Sequence, residues 1–195
     1  MNKFEKSFYL TFDGAPHAPN TYEILEALEK HGVKATFFME GRRIENDPQC
    51  ALAVLTHNHD VGNHSYSHPN FDEISLDACL EEVVKAESVM VKTFGFTPKF
   101  FRPPSGILTP ESEKLILSRG YHIVLWSYSV KDWLGPDAGA VAQRILDGIM
   151  DNGVIVLHDH VQWVPKILDM IIPAIKNQGF LFRKISETSQ AGIIR

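Results

Sequence analysis

The sequence predicts an α/β fold with a mainly parallel sheet, either open or curled into a barrel, and three observations predict it. Short apolar, β-rich runs alternate with segments of helical periodicity along the whole length. The run 154–157 is continuously apolar, as a strand buried on both faces requires. No repeat, low-complexity tract or linker breaks the order, and 195 residues suit a single domain over 1–195.

The elements follow in sequence. Residues 8–12 are β-rich and apolar, and a Gly/Pro loop leads into a helix over 21–31, where Ile24, Leu25, Leu28 and His31 recur at helical spacing. A strand is expected over 35–39, a helix over 48–56, a short strand over 60–63 and a long helix over 76–94 carrying Leu80, Val83, Val84 and Met90. Phe100 and Phe101 read as a strand end. Thr109, Pro110 and Glu113 supply an N-cap, a first-turn proline and a capping-box acid, so 111–119 is a helix that Gly120 closes. A strand over 121–126, a helix over 138–150, the strand over 154–157, a helix over 165–176 that Pro173 ends or kinks, and a strand over 180–185 complete the chain.

Composition removes several classes of function. With 44% apolar and 22% charged residues the chain is ordinary globular protein, and 19 Lys and Arg against 24 Asp and Glu give a net charge of −5. A general attraction to nucleic acid is therefore not expected. No run of about 18 apolar residues is present, so no membrane insertion is expected. The polar start 1–6 leads straight into a strand and leaves no room for a signal peptide, which makes a cytoplasmic location the default and a secreted or cell-envelope one the case for a trimmed precursor. Cys50 and Cys79 lack Cys-x-x-Cys spacing and read as buried free thiols. Oligomeric state is left open.

In parallel α/β folds ligands gather at the C-terminal ends of the strands, which points to Asp13, His64, His68, Arg102, Asp132 and His158. His64 and His68, at i and i+4, lie on one face of a helical turn and can reach one metal ion, with zinc the favoured occupant. His57 and His59 lack that spacing and read as surface residues. His158 follows the run 154–157 and serves either as a packed histidine or as a general acid. Asp13 is either a cap or a carboxylate base, and Arg102, stiffened by Pro103 and Pro104, is suited to pairing with a carboxylate. Asp132 and Trp133 form one wall, unless Trp133 is core.

Thr11-Phe12-Asp13, His64-Ser-x-x-His68, Arg102-Pro-Pro-x-Gly106, Asp132-Trp133 and Leu157-His158, in that order, resemble the motifs of the polysaccharide deacetylase family, the NodB-homology domain of carbohydrate esterase family 4. The resemblance covers nearly the whole chain. It implies a distorted, incomplete (β/α) barrel, a divalent metal, often zinc, and removal of acetyl groups from N-acetylglucosamine units of chitin, chitooligosaccharides or peptidoglycan. It also implies Asp13 as base, His64 and His68 as metal ligands, Arg102 as the residue orienting the base, His158 as acid, and Leu157 and Trp133 as pocket walls, with a backbone N–H near Ser105 for the oxyanion.

The departures from the family pattern carry as much information. Gly14 stands where members usually have a second Asp that is the third metal ligand, and glycine has no side chain to offer. Ser105 replaces an aromatic residue, and Ser129 replaces an acid that tunes His158 unless Asp132 does so. Either Asp13 then shifts into the metal vacancy, which costs the site its base, or His17 or water fills it. Three functions follow: a weakly metal-binding N-deacetylase, a glycan-binding pseudoenzyme, or a metal-independent hydrolase of a cyclic amide or ureide.

Overall fold

A computed structural model describes residues 5–135 and 137–188. The first four residues, part of the expected polar start, lie outside it. β1 (Lys6–Ala15) is buried along almost its whole length because it is the central strand. It pairs in parallel with β2 (Thr36–Met39) from Thr11 onward and with β7 (Gly153–His158) from Phe8 to Asp13. β3 (Asp60–Asn63), β4 (Phe100–Phe101) and β5 (His122–Ile123) extend the β2 edge, and β6 (Tyr128–Ser129) extends the β7 edge. β8 (Phe180–Arg183) pairs with Lys6 to Tyr9. Since β7 already holds Phe8 and Tyr9 from one side, β8 must take the stretch of the opposite edge that β2 leaves open.

Every ladder is parallel. The two outermost strands, β5 and β6, are joined by residues 124–127 alone, so one bent segment runs from one edge of the sheet to the other. The sheet is thereby curled into a barrel that a crossing chain, not a ladder, closes. The strand expected over 121–126 is accordingly cut short to β5 and a single bridge at Val124, because residues 125–127 cross between the edges, and β6 begins only at Tyr128.

Period-two alternation divides the residues between two cores. Phe8, Leu10 and Phe12 of β1, Phe37 and Met39 of β2, and Ile155 and Leu157 of β7 face outward into the main core. There they meet α1 (Asn20–Lys30), α3 (Pro48–Thr56), α6 (Ala138–Asp147) and α7 (Val164–Asn177). Phe12 stacks on Phe37 at 4.6 Å between ring centroids. Tyr9, Phe38, Val124, Val154 and Ile185 fill the barrel interior, with Trp126 packed against them.

A short helix, α2 (Gly41–Asn46), was not expected from periodicity because it is too brief to show one. α4 (Leu76–Phe94) starts at the Ser75 cap and ends at Gly95 in the left-handed region. α5 (Pro110–Ser118) has a capping box, but Ser112 rather than Glu113 closes it, since the third helical position after the Thr109 cap is 112. Pro173 sits inside α7 without ending it, and both it and Asp169, whose carbonyl it frees, face solvent. Among the described residues no helix is long and apolar enough to cross a membrane. Cys50 and Cys79 are buried free thiols.

Candidate active site

Asp13 and His158 are register partners across β1 and β7, so both leave the sheet at the same level. His64 follows β3 directly and Arg102 follows β4. A cavity of about 450 Å³ opens at this end of the barrel, and Asp13, His64, His68, Ser105, Trp133 and His158 all line it.

Arg102 is fully buried and does not line the cavity itself but reaches it through Asp13. Its Nη1 donates to Asp13 Oδ1 at 2.7 Å and to Thr11 Oγ1 at 2.7 Å. Its Nε and Nη2 donate to the carbonyls of Val124 and Leu125 at 3.0 and 3.2 Å. Those carbonyls belong to the crossing segment, where strand pairing is interrupted, so the arginine supplies the donors a neighbouring strand would have supplied. Its guanidinium lies 4.0 Å from the centroid of the Phe38 ring.

Burial alone would raise the Asp13 carboxyl, but the charges of Arg102, His64 and His158 and the Arg102 hydrogen bond outweigh it and hold the group below the usual carboxylate range. Asp13 is therefore ionised at neutral pH. The second carboxylate oxygen lies 3.9 Å from His64 Nε2. His64 Nδ1 donates to the Arg102 carbonyl at 2.8 Å, which fixes the tautomer and leaves Nε2 unprotonated in the neutral ring. Desolvation, opposed by the Asp13 charge, keeps that ring's pKa below the ordinary value.

The expectation that His64 and His68 share a helical face is corrected. Residues 64–68 form a loop in which Ser65 and His68 adopt positive φ values of 64° and 65°. Asn63 Oδ1 accepts from the Ser65 N–H, and Ser65 Oγ accepts from the His68 N–H. This local hydrogen bonding turns the chain back and brings the two rings edge to face at 4.8 Å, the proximity that helical spacing was expected to supply.

His158 is held by Asp132. Asp132 Oδ2 accepts from the His158 backbone N–H at 2.7 Å and Oδ1 accepts from Nδ1 at 2.8 Å, while the Asp132 carbonyl accepts from Trp163 Nε1. Burial would lower the His158 pKa, but the hydrogen bond and charge of Asp132, aided by Asp13, raise it above the ordinary histidine value. Trp133 packs edge-on at 4.7 Å and remains 45% exposed, so it is wall rather than core.

Two expected wall residues stand elsewhere. Asp132 is fully buried behind His158 and acts through it, and Leu157 points into the main core because His158 and Val156 take the inner face of β7. His59 is buried, not on the surface; its Nδ1 accepts from the Ala35 N–H, and burial pushes its pKa down to about 3. His17 is exposed and does not line the cavity. Glu40, Arg43, Trp126, Val156 and His160 do line it, although none was singled out from the sequence. Counting alternate residues along β2 and β7 finds three of them: Glu40 is two after Phe38, and Val156 and His160 flank His158.

The pattern of two imidazoles and a carboxylate base suggests a divalent ion, and the donor set tests it. Gly14, with φ of 78°, offers no side chain, and among the described residues no three His, Cys, Asp or Glu groups gather as a metal-binding set. A catalytic zinc normally has three protein ligands. The residues as they stand do not fit such an ion.

The family model for polysaccharide deacetylases matches residues 1–124. The chain belongs to that family. It is 35% identical over 177 residues to a peptidoglycan-N-acetylglucosamine deacetylase of Bacillus cereus, covering 89% of this chain and 64% of the relative. The Listeria monocytogenes peptidoglycan-N-acetylglucosamine deacetylase PgdA is 31% identical over 185 residues, of which the chain spans 39% of the length. Among solved structures, the Bc1960 peptidoglycan N-acetylglucosamine deacetylase superposes with a TM-score of 0.89 at 33% identity, covering 92% of this chain and 86% of that one. BA3943 of Bacillus anthracis, described as a CE4 family pseudoenzyme, gives a TM-score of 0.88 at 30% identity, covering 94% of this chain and 65% of that one. The half-barrel fold of the carbohydrate esterases is thus established for this deacetylase-family chain, and members of the family generally use a divalent metal.

Proposed function

We propose that this polysaccharide deacetylase-family chain hydrolyses the N-acetyl group of N-acetylglucosamine units in a peptidoglycan or chitooligosaccharide chain. The observation that carries the reading is a pair of contacts facing one cavity: Arg102 donates to Asp13 and keeps it ionised, and the Asp132 carboxylate accepts from His158 Nδ1 and shifts that ring towards its protonated form. An anionic base and a cationic acid facing the same space are the two groups amide hydrolysis needs. Its support from relatives is the peptidoglycan deacetylase identity of the Bacillus cereus protein.

A divalent ion, often zinc in this family, would polarise the acetyl carbonyl and acidify a bound water. Because the donor set does not fit one, each step here uses the chain's own groups. Asp13 accepts a proton from water as the water oxygen bonds to the acetyl carbon. Protonated His158 gives its proton to the sugar nitrogen as the C–N bond breaks, and acetate and the free amine leave. Arg102 keeps Asp13 ionised and aimed, and Trp133 presents a flat apolar face to the sugar.

Acetate release from N-acetylglucosamine oligomers and from peptidoglycan fragments tests the reading. The native chain should release acetate from at least one of them, and His158→Ala should lower turnover about a hundredfold or more while the chain still folds, with a melting temperature reduced by the loss of the buried Asp132 carboxylate's partner. A native chain that binds these glycans without releasing acetate would instead favour the pseudoenzyme reading, which Gly14 and the likeness to BA3943 support. Release of a ring-opened product from a cyclic amide or ureide, with no acetate from glycans, would favour the metal-independent alternative.

A further inference from the structure

Above Gly14 the cavity wall carries a charge arrangement that the proposed reaction does not use. A Cβ added at Gly14 would lie 3.5 Å from Glu40 Oε1 and 3.8 Å from His160 Nδ1. An aspartate there would carry its carboxylate into the same region, so Glu40 already brings a carboxylate to the place that position 14 leaves empty. Glu40 comes from the end of β2 and is 4% exposed. A buried carboxylate needs a countercharge, and Arg43 supplies it, with Nε 2.9 Å from Oε1.

The contact is ionic rather than a directed hydrogen bond, because the buried Arg43 Nε has no hydrogen-bond partner among the described residues despite its closeness to Oε1. Arg43 lines the cavity with Glu40, Gly14, His64, His68 and His160. Glu40 thus shares the cavity lining with imidazoles, the donor types of a zinc site, yet no three-donor set forms among the described residues.

We propose that Arg43 takes, on Glu40, the place of a dication: the Glu40–Arg43 pair is a built-in substitute for a carboxylate–metal pair in this wall of the pocket. The carboxylate has moved from the end of β1 to the end of β2, and a guanidinium neutralises it. The proposal has two consequences. Removing the guanidinium charge should free Glu40 to join the imidazoles, and restoring an aspartate at position 14 should fail while Glu40 stays charged, because two carboxylates would crowd one place. Neither consequence depends on the substrate.

Calorimetric titration with zinc alone tests the proposal without any turnover. The native chain should bind zinc weakly, with a dissociation constant above the micromolar range. Arg43→Gln should bind at least tenfold more tightly, Arg43→Lys should stay near the native value, and Arg43→Gln with Glu40→Gln should return to it. Gly14→Asp alone should gain less than threefold, whereas Gly14→Asp with Glu40→Gln should gain tenfold or more. Gly14→Ala with Glu40→Gln controls for the strain of a side chain at positive φ, and thermal melts confirm that each variant folds. Tight binding by the native chain, no gain in Arg43→Gln, or Gly14→Asp gaining as much alone as with Glu40→Gln would each overturn it. If Arg43→Gln does not fold, the position 14 pair decides by itself.

Discussion

His158 keeps its proton to higher pH than an ordinary histidine because Asp132 opposes the effect of burial with both carboxylate oxygens engaged. The consequence for pH has a definite sign. Protonated His158 is the working form, so turnover that needs it falls as pH rises past its pKa. Asp132→Asn keeps the shape but removes the charge, and the ring's pKa should drop by roughly one unit or more. Titration of the ring followed by NMR measures this, and the alkaline fall in turnover should move to lower pH with it. A ring that titrates unchanged in the variant would remove Asp132 from this role. Arg102 is the second case at this scale. The sequence marked it as a rim residue that pairs with a carboxylate, and it does pair with Asp13, but it is also fully buried and serves two carbonyls. Arg102→Ala leaves Asp13 buried without its cation and should cost about 3–5 kcal/mol, whereas exposed Arg42→Ala should stay within about 0.5 kcal/mol. Urea denaturation of both variants compares them. Equal midpoints would mean that Arg102 is an ordinary surface charge.

At the scale of the element, β7 shows how one strand divides its work. Val154, Val156 and His158 face the barrel interior and cavity, while Ile155 and Leu157 face the helices. The motif Leu157-His158 was legible in the sequence, but a continuously apolar run does not say which of its residues faces which layer. Register against β1 decides that, with Leu157 opposite Phe12 and His158 opposite Asp13. Leu157→Ala should therefore cost about 2–5 kcal/mol through the core while leaving KM for a glycan substrate within about twofold. Denaturant midpoints and steady-state kinetics together check it, and a variant of native stability with a raised KM would return Leu157 to the pocket wall. The loop 64–68 teaches the converse. Its two histidine rings do lie together, but the device that brings them there is local hydrogen bonding at Ser65 and not a helical turn.

For the molecule as a whole, Asp159 ties the end of β7 to the start of α1. Its Oδ2 accepts from Thr21 Oγ1 at 2.7 Å and its carbonyl accepts from Asn20 Nδ2, across more than a hundred residues of chain. Burial pushes this carboxyl up to about 7, against the pull of the Thr21 and His17 hydrogen bonds, and Oδ1 is buried without a hydrogen-bond partner among the described residues. The folded state thus binds this proton more tightly than the unfolded chain, so the stability tied to the group is fully present below about pH 4 and is lost as pH rises towards 7. Asp159→Asn cannot ionise. Between pH 5 and pH 7 its stability relative to the native chain should rise steadily and then level off towards pH 8, and a pH series of thermal melts measures the gap. A gap that stays constant over that range would show that Asp159 is not the group responsible.

The parallel α/β class, the order of nearly every element and the strand-end position of Asp13, His64, His68, Arg102 and His158 were all legible in the sequence. They could be read there because hydrophobic period, caps and breakers are local properties of a few consecutive residues. The sequence also exposed the missing side chain at Gly14. It took the folded chain to reveal that the strand after α5 stops short where the chain crosses to close the barrel, that Arg102 fills the resulting gap, and that Asp132 stands behind His158 rather than in the wall. Glu40 meeting the empty place above Gly14 belongs with these. Each depends on contacts between segments far apart in the chain, and no window of neighbouring residues carries the distance between two strand ends.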